Sequence, residues 1–353
     1  MESTIKYVQL DCLVLMKIVK HVDSEFEGGL GDMSGENCQG ILTGLIAVDD
    51  GKLEITNCFL APRFENYAEG DDINPQVLQQ NDDMKQNEVI DTLKKFRQMN
   101  MDYELVGFYQ SQPFGACFTQ EMVESLAEVQ SHVQDGVVLI YDPLLTRQGK
   151  IGLRALRLSQ SATQLSVKGD WSPDAIRMAG LTYENLFEEL PIRVKNSHLA
   201  NVMFAQLNIN EEEAFCDSLQ DLSLENTDTL EKALRGMITG VDELSKQLNS
   251  YNKYTFEKVR AENQLTVLLQ KRQAENEHRI ARGEQPLSME ECKKSIRMPQ
   301  WCSKNGLLDI FLTSCGTKAH SDFTQGVVNE NIHKILALQS LQETAANMNG
   351  GTK

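Results

Sequence analysis

The stretch Val106-Gly107-Phe108-Tyr109-Gln110-Ser111-Gln112-Pro113-Phe114-Gly115-Ala116-Cys117-Phe118-Thr119-Gln120-Glu121-Met122-Val123 gathers polar side chains at the end of an apolar strand and leads into a helix. Gln110 and Gln112 stand two residues apart, so they leave a strand end on the same side. Two histidines so placed could share a metal ion, and two glutamines do not make such a pair. A carboxamide oxygen is neutral and a poor ligand beside imidazole, and Val123, one turn into the following helix, offers no donor atom at all. Tyr109 and Ser111 are the local nucleophile candidates, but no histidine lies in the segment to activate them. The six histidines (His21, His132, His198, His278, His320 and His333) show no two-residue or helical pairing. The eight cysteines (Cys12, Cys38, Cys58, Cys117, Cys216, Cys292, Cys302 and Cys315) form no C-x-x-C pair, which argues against a zinc ribbon or a disulfide framework. The expectation is a loop with no catalytic residue, metal or cofactor. Tyr109 and Ser111 then shape a turn, and the two glutamines offer a polar contact surface to a partner.

The elements that would position this loop alternate between strand and helix. Apolar residues at 15, 18, 19 and 22 predict a helix with Lys17 and Lys20 off its stripe. Ile41 to Val48 reads as a strand, Asp49-Asp50-Gly51 as a hairpin turn, and Leu53 to Phe59 as a half-buried strand. Residues 23–37 and 61–83 are acidic and rich in amides and glycine, the composition of surface loops. A helix is predicted over 86–98, with Val89, Leu93 and Phe96 on one face, and a strand from Leu105 to Tyr109. Thr119 offers an N-cap to a helix carrying Met122, Leu126, Val129 and Val133. Val137 to Tyr141 is continuously apolar, as in a strand covered on both faces, and Ile151 to Leu158 alternates again.

Beyond residue 226 the pattern changes. Leu230, Leu234, Met237, Val241, Leu244, Leu248 and Tyr251 recur at alternating spacings of four and three, one narrow apolar seam on a long helix. Such a seam wants a partner helix, either from its own chain or from a multi-subunit bundle, and both remain open. A final helical stretch carries Phe323, Val327, Val328, Ile332, Ile335, Leu336 and Leu338. The expected organisation is an α/β domain over 6–160, an α/β extension over 161–225 packing on it, and a helical region over 226–353 for bundle assembly.

Composition narrows the class. The chain has 353 residues, 41% hydrophobic and 24% charged, with a formal net charge of −17. Residues 1–100 carry 18 Asp and Glu against 9 Lys and Arg, so that half repels phosphate backbones; direct nucleic-acid binding is not expected. The stretch 250–300 is mildly basic, 7 acidic against 10 basic residues, but its mixed signs fit a solvated helix face. Cys12 to Met16 is too short an apolar run to span a bilayer, so no membrane role is expected.

The segment from Val106 to Val123 resembles the core of the MPN domain, whose active members are JAMM-type zinc isopeptidases. There a V-G-W-Y strand runs into H-S-H-P, and a helix opening S-x-x-D follows. By that resemblance the histidine positions hold Gln110 and Gln112, the serine position Gln120 and the aspartate position Val123. Pro113 and Cys117 fall where the family has its proline and cysteine. The general base maps to Asn37, or to the neighbouring Glu36 if the loop shifts. Further segments resemble the H-subunit family of translation initiation factor 3: Val8 to Asp11, L-E-I-T-N-C-F at 53–59, V-V-L-I-Y-D-P at 137–143, I-R-V-K-N-S-H-L at 192–199 and R-G-E-Q-P-L at 282–287.

That resemblance implies a non-catalytic, cytoplasmic scaffold of the initiation factor 3 complex. Its partners would be a second MPN subunit, PCI-domain subunits through the C-terminal helices, and the 40S ribosomal subunit indirectly, in support of 43S assembly, mRNA recruitment and scanning. Two alternatives stay in view, a JAMM deubiquitinase with an altered site and a non-catalytic MPN subunit of the proteasome lid or signalosome. The sequence departs from the family in the acidic loops near 23–37 and 61–83 and in Gln112-Pro113.

Overall fold

A computed structural model describes residues 5–28, 38–47, 50–62, 75–133, 135–147, 149–209, 227–282 and 307–350. Asn37, Glu36, Cys216, Cys292, Cys302, most of the two acidic loops and the R-G-E-Q-P-L segment beyond its arginine lie outside these residues.

Eight strands form one mixed sheet: β1 Tyr7–Asp11, β2 Cys38–Ala47, β3 Lys52–Leu60, β4 Leu105–Ser111, β5 Val137–Tyr141, β6 Leu153–Leu158, β7 Phe187–Leu190 and β8 Ile192–Lys195, in the order β7-β6-β5-β4-β2-β3-β1-β8. Pairing is parallel for β1 with β3 and β8, and for β4 with β5; the β2, β6 and β7 pairings are antiparallel. The all-apolar run of β5 occupies an inner position and is buried at every residue, as a strand covered on both faces must be. β7 and β8 fall within 161–225, so that segment supplies both edges of the sheet.

Each face of the sheet has its own core. On one face α1 (Cys12–Gly28) lays Val14, Ile18 and Val22 against Val8, Leu10, Leu42 and Ile55. On the other, α3 (Gln120–His132), α5 (Gln160–Lys168) and α6 (Pro173–Ala179) enclose Val138, Ile140, Leu156 and Leu158. α3 starts where its cap demands: the Thr119 side chain accepts from the Met122 backbone N–H at 3.3 Å. The remaining helices are α2 (Pro75–Gln98), α4 (Pro143–Arg147), α7 (His198–Ile209), α8 (Thr227–Ala281) and α9 (Leu308–Gly350).

Three boundaries differ from the sequence expectation. α1 runs on to Gly28 and α2 begins at Pro75, although 23–28 and 75–83 read as loop. Turns rich in Asp, Glu and Gln carry no apolar period in the sequence, and Pro75 sits at the helix start where its missing N–H costs nothing. α9 begins at Leu308, well before the apolar run at Phe323, because Cys315, Gly316 and two threonines, Thr313 and Thr317, hide its period.

α8 and α9 lie antiparallel: Gly236 of α8 faces His320, and Gly240, one turn later, faces Thr317. Cβ atoms built at Gly236 and Gly240 would come within 2.7 Å of His320 Cε1 and 2.6 Å of Thr317 Oγ1. The two glycines therefore let the backbones approach closely.

Candidate functional site

The candidate site is the turn that follows β4. Alternation along the strand sends Tyr109 to the α1 face and Gln110 to the α3 face. Tyr109 is 1% exposed, and its ring lies where any Cβ at residue 40 would stand, so Gly40 is required there. Its hydroxyl meets His21 Nδ1 at 2.9 Å, and His21 Nε2 lies 3.7 Å from Glu25. The fold thus brings a histidine from 88 residues away to the tyrosine that the sequence left without one. The arrangement has the form of a relay, but its hydroxyl sits inside a closed core with no space for a substrate. Its role is to satisfy a buried polar group. Ser111 is also buried, paired in the sheet between Cys38 and Tyr141.

Gln110 is 2% exposed. The polar contact surface expected of the two glutamines is therefore not open at Gln110, because the chain covers this turn with its own helices. Gln112 is extended, its backbone N–H donating to the Tyr141 carbonyl at 3.1 Å, and its side-chain Oε1 is buried with no hydrogen-bond partner. Val123 is fully buried among Cys117, Met122 and Leu126, in a core that also takes Leu308 and Leu312 from α9.

The turn Pro113–Gly115 holds Phe114 at φ 63°, a left-handed conformation unusual for an aromatic residue. That geometry throws its ring onto α9, 4.9 Å from the Phe323 ring at 83° and 5.3 Å from His320. Leu144 and Leu145 of α4, Leu230 and Ala233 of α8, and Val327 of α9 complete this third core. An ion pair between Lys150 and Glu330 adds a tie at its rim. Contacts of this number repay the strain at Phe114.

Asp142 organises the turn from below. It is 4% exposed, and its carboxylate accepts backbone N–H bonds from Leu144 at 2.9 Å and from Leu145 and Phe114. Burial raises its pKa from 3.8 to about 6, against the pull of those three donors. A raised folded-state value means the ionised form is disfavoured in the fold. The penalty is fully present above about pH 6 and disappears as pH falls toward 3.8. Wild-type stability, measured against Asp142→Asn by urea unfolding, is accordingly expected to improve by about 1 kcal/mol between pH 7 and pH 5. A difference that stays flat or falls would contradict it.

The seam on α8 divides. Leu230, Met237, Leu244 and Tyr251 are partly buried, whereas Leu234, Val241 and Leu248 remain 38%, 49% and 42% exposed. Ala233, Gly236 and Gly240 take the intervening places against α9. One turn-spaced half of the apolar stripe is therefore used within the chain, and the other half is open. Among the described residues no three His, Cys, Asp or Glu side chains converge in a way that could hold a metal ion. Among them, too, no helix is long and apolar enough to cross a membrane.

Comparison with known proteins bears on both halves of the chain. Residues 3–135 match the family described as JAB1/Mov34/MPN/PAD-1 ubiquitin protease, and residues 146–347 match the C-terminal region of eIF3h. The chain belongs to the eIF3h family, the H subunits of eukaryotic translation initiation factor 3. The H subunit of Brugia malayi is 48% identical over 99% of this chain and 95% of its own length. That of Caenorhabditis elegans is 47% identical over 96% and 92%, and that of Xenopus laevis 33% over 97% and 95%. The architecture is an MPN domain with a mixed sheet flanked by helices, followed by a long helical C-terminal region.

In this eIF3h-family chain, several residues that shape the site give no signal in the sequence. His21 carries no local motif, Asp142 lies in V-V-L-I-Y-D-P but its bonds to the turn cannot be read from that segment, and Phe114 signals nothing until its φ is known. The small residues of α8 have no apolar period to reveal them. Two glycines one turn apart on a helix, Gly236 and Gly240, are the one clue to a close helix contact.

Proposed function

We propose that this chain is a non-catalytic scaffold subunit of translation initiation factor 3, cytoplasmic, supporting 43S preinitiation complex assembly on the 40S subunit, mRNA recruitment and scanning. The observation that carries the reading is the fate of the turn after β4. Gln110, Gln112 and Val123 stand where the family's metal ligands stand, Val123 is buried in an apolar core, and Phe114 pins the turn beneath α9. A carboxamide pair and a valine cannot activate a water, and Gln110 and Val123 lie buried within the fold.

On this reading the MPN domain, 6–160 with its extension to 225, is the body of the molecule and pairs with a second MPN subunit. The helical region 226–353 joins PCI-domain subunits through apolar positions left open on α8 and α9, among them Leu234, Val241, Leu248, Ile332 and Leu336. Affinity purification of the tagged chain with mass spectrometry is expected to recover both classes of partner. A variant carrying Leu234→Glu, Val241→Glu and Leu248→Glu is expected to lose the PCI-domain subunits while keeping the MPN partner. Recovery of proteasome-lid or signalosome proteins without initiation factors would overturn the assignment. Stoichiometric zinc with ubiquitin cleavage by the purified protein would overturn the non-catalytic reading.

A further inference from the structure

A cleft of about 630 Å³ lies between α8, α9 and the segment following the pinned turn, where Ala116, Phe118 and Gln120 form its floor. Its hydroxyl groups share one property. Thr239, Thr313 and Thr317 each donate their hydroxyl proton to the carbonyl one turn back, on Arg235, Asp309 and Thr313, at 3.0, 2.8 and 2.8 Å. Only oxygen lone pairs remain on these hydroxyls. Gln247 gives its amide N–H to Glu243 at 3.4 Å, which orients its Oε1 the other way, and that oxygen is buried without a partner. The Gln120 amide is likewise donated, to Glu124. Glu243 and Asp309 bring carboxylates to the lining, and among the described residues no lysine or arginine belongs to it. His320 completes the wall with a buried, unpartnered Nδ1; burial lowers its pKa, so the ring is neutral near pH 7 and carries no compensating charge.

A pocket whose threonine hydroxyls have spent their protons, and which adds an unpartnered amide oxygen and two carboxylates, is complementary to a cation rich in donors. We propose that this cleft binds the side chain of an arginine carried on a partner polypeptide. The guanidinium offers five N–H donors in a planar fork, matching Gln247 Oε1, the threonine oxygens and the two carboxylates. Its aliphatic stem has Phe118 and Leu312 to lie against. A lysine ammonium, with three donors on one atom, satisfies fewer of these dispersed acceptors. The cleft is larger than one side chain and so admits the residues flanking the arginine. This assignment rests on the cleft alone. Whether the arginine belongs to a neighbouring initiation factor subunit depends on the scaffold reading above, and the two fail separately.

The test uses the full-length protein and three acetylated, amidated tripeptides, Gly-Arg-Gly, Gly-Lys-Gly and Gly-citrulline-Gly, titrated to millimolar concentration by calorimetry. The arginine peptide is expected to saturate, with the lysine and citrulline peptides bound about tenfold more weakly or worse. Glu243→Gln and Gln247→Leu, both on the surface-lying helix α8, are each expected to weaken the arginine peptide about tenfold. Thermal unfolding and circular dichroism of both variants must match wild type. Absence of saturable binding, equal binding of citrulline or lysine, or unchanged affinity in both folded variants would each overturn the proposal. Capture of the arginine peptide combined with loss of every initiation factor in the purification above would uphold the cleft and remove only its place in the complex.

Discussion

Val123→Asp, which on the proposed reading places a carboxylate at the position that the sequence resemblance assigns to a metal ligand, is expected to lower stability by on the order of 4 kcal/mol at neutral pH. The position is fully buried, surrounded by Cys117, Met122 and Leu126, with Leu308 and Leu312 of α9 in the same core. Burial of this kind drives the Cys117 thiol beside it up to about 12. An aspartate there would be pushed the same way, so the variant should regain stability as pH falls and the new carboxyl takes up its proton. Denaturant unfolding of Val123→Asp at neutral and acidic pH gives both numbers. Adding Gln110→His and Gln112→His is expected not to rescue it in the presence of zinc, because Gln110 is buried and the turn is held under α9. A loss below about 1 kcal/mol, or full recovery on zinc addition, would show that the site still opens, and the scaffold reading would lose its main support.

Phe323→Ala is expected to cost about 3 kcal/mol and to loosen the helical hairpin from the sheet body. Phe323 is 7% exposed and joins Val327, Ala233 and Leu144 in the small core that fastens α8 and α9 to the turn. Its edge-to-face contact with Phe114 is short, at 4.9 Å and 83°. Such a pair adds about 1 kcal/mol beyond area burial, so a double-mutant cycle with Phe114→Ala should show coupling of that size. Phe114→Ala loses the ring but keeps the left-handed backbone. Phe114→Gly loses the ring and also relieves the strain, and should be the more stable of the two by about 1 kcal/mol. Hydrogen exchange locates the effect: α9 from Leu308 onward and the start of α8 should lose protection in Phe323→Ala while β4 and β5 keep theirs. Equal loss in the sheet would mean that the hairpin is not a separable layer.

Both predictions converge on one physical point. The turn after β4 leads from a sheet strand through Pro113 into a capped helix, with Thr119 at its N-cap and Cys117 fully buried. It presents an aromatic ring held at positive φ, and that ring anchors the C-terminal helices. The sequence expectation is a polar surface offered to a partner; at this turn the element that docks is the chain's own α9.

The sequence by itself determined the strand and helix types around the site, because apolar spacing records which side of each element meets a core. It also set which donor atoms the turn can offer, since a glutamine carboxamide and a valine side chain are the same groups in any fold. The tertiary structure alone decided three further things. It placed His21 against Tyr109 and Asp142 beneath Phe114, contacts between residues 88 and 28 positions apart that no local pattern encodes. It divided the seam beginning at Leu230, giving the α9 contact to Ala233, Gly236 and Gly240 and leaving Leu234, Val241 and Leu248 exposed. Close helix packing is made by small side chains, which carry almost no hydrophobic signal, so apolar periodicity marked the stripe but not its partner. And it closed the turn at Gln110-Ser111-Gln112-Pro113 under α9, because whether a polar loop is surface or interior depends on what the rest of the chain lays across it.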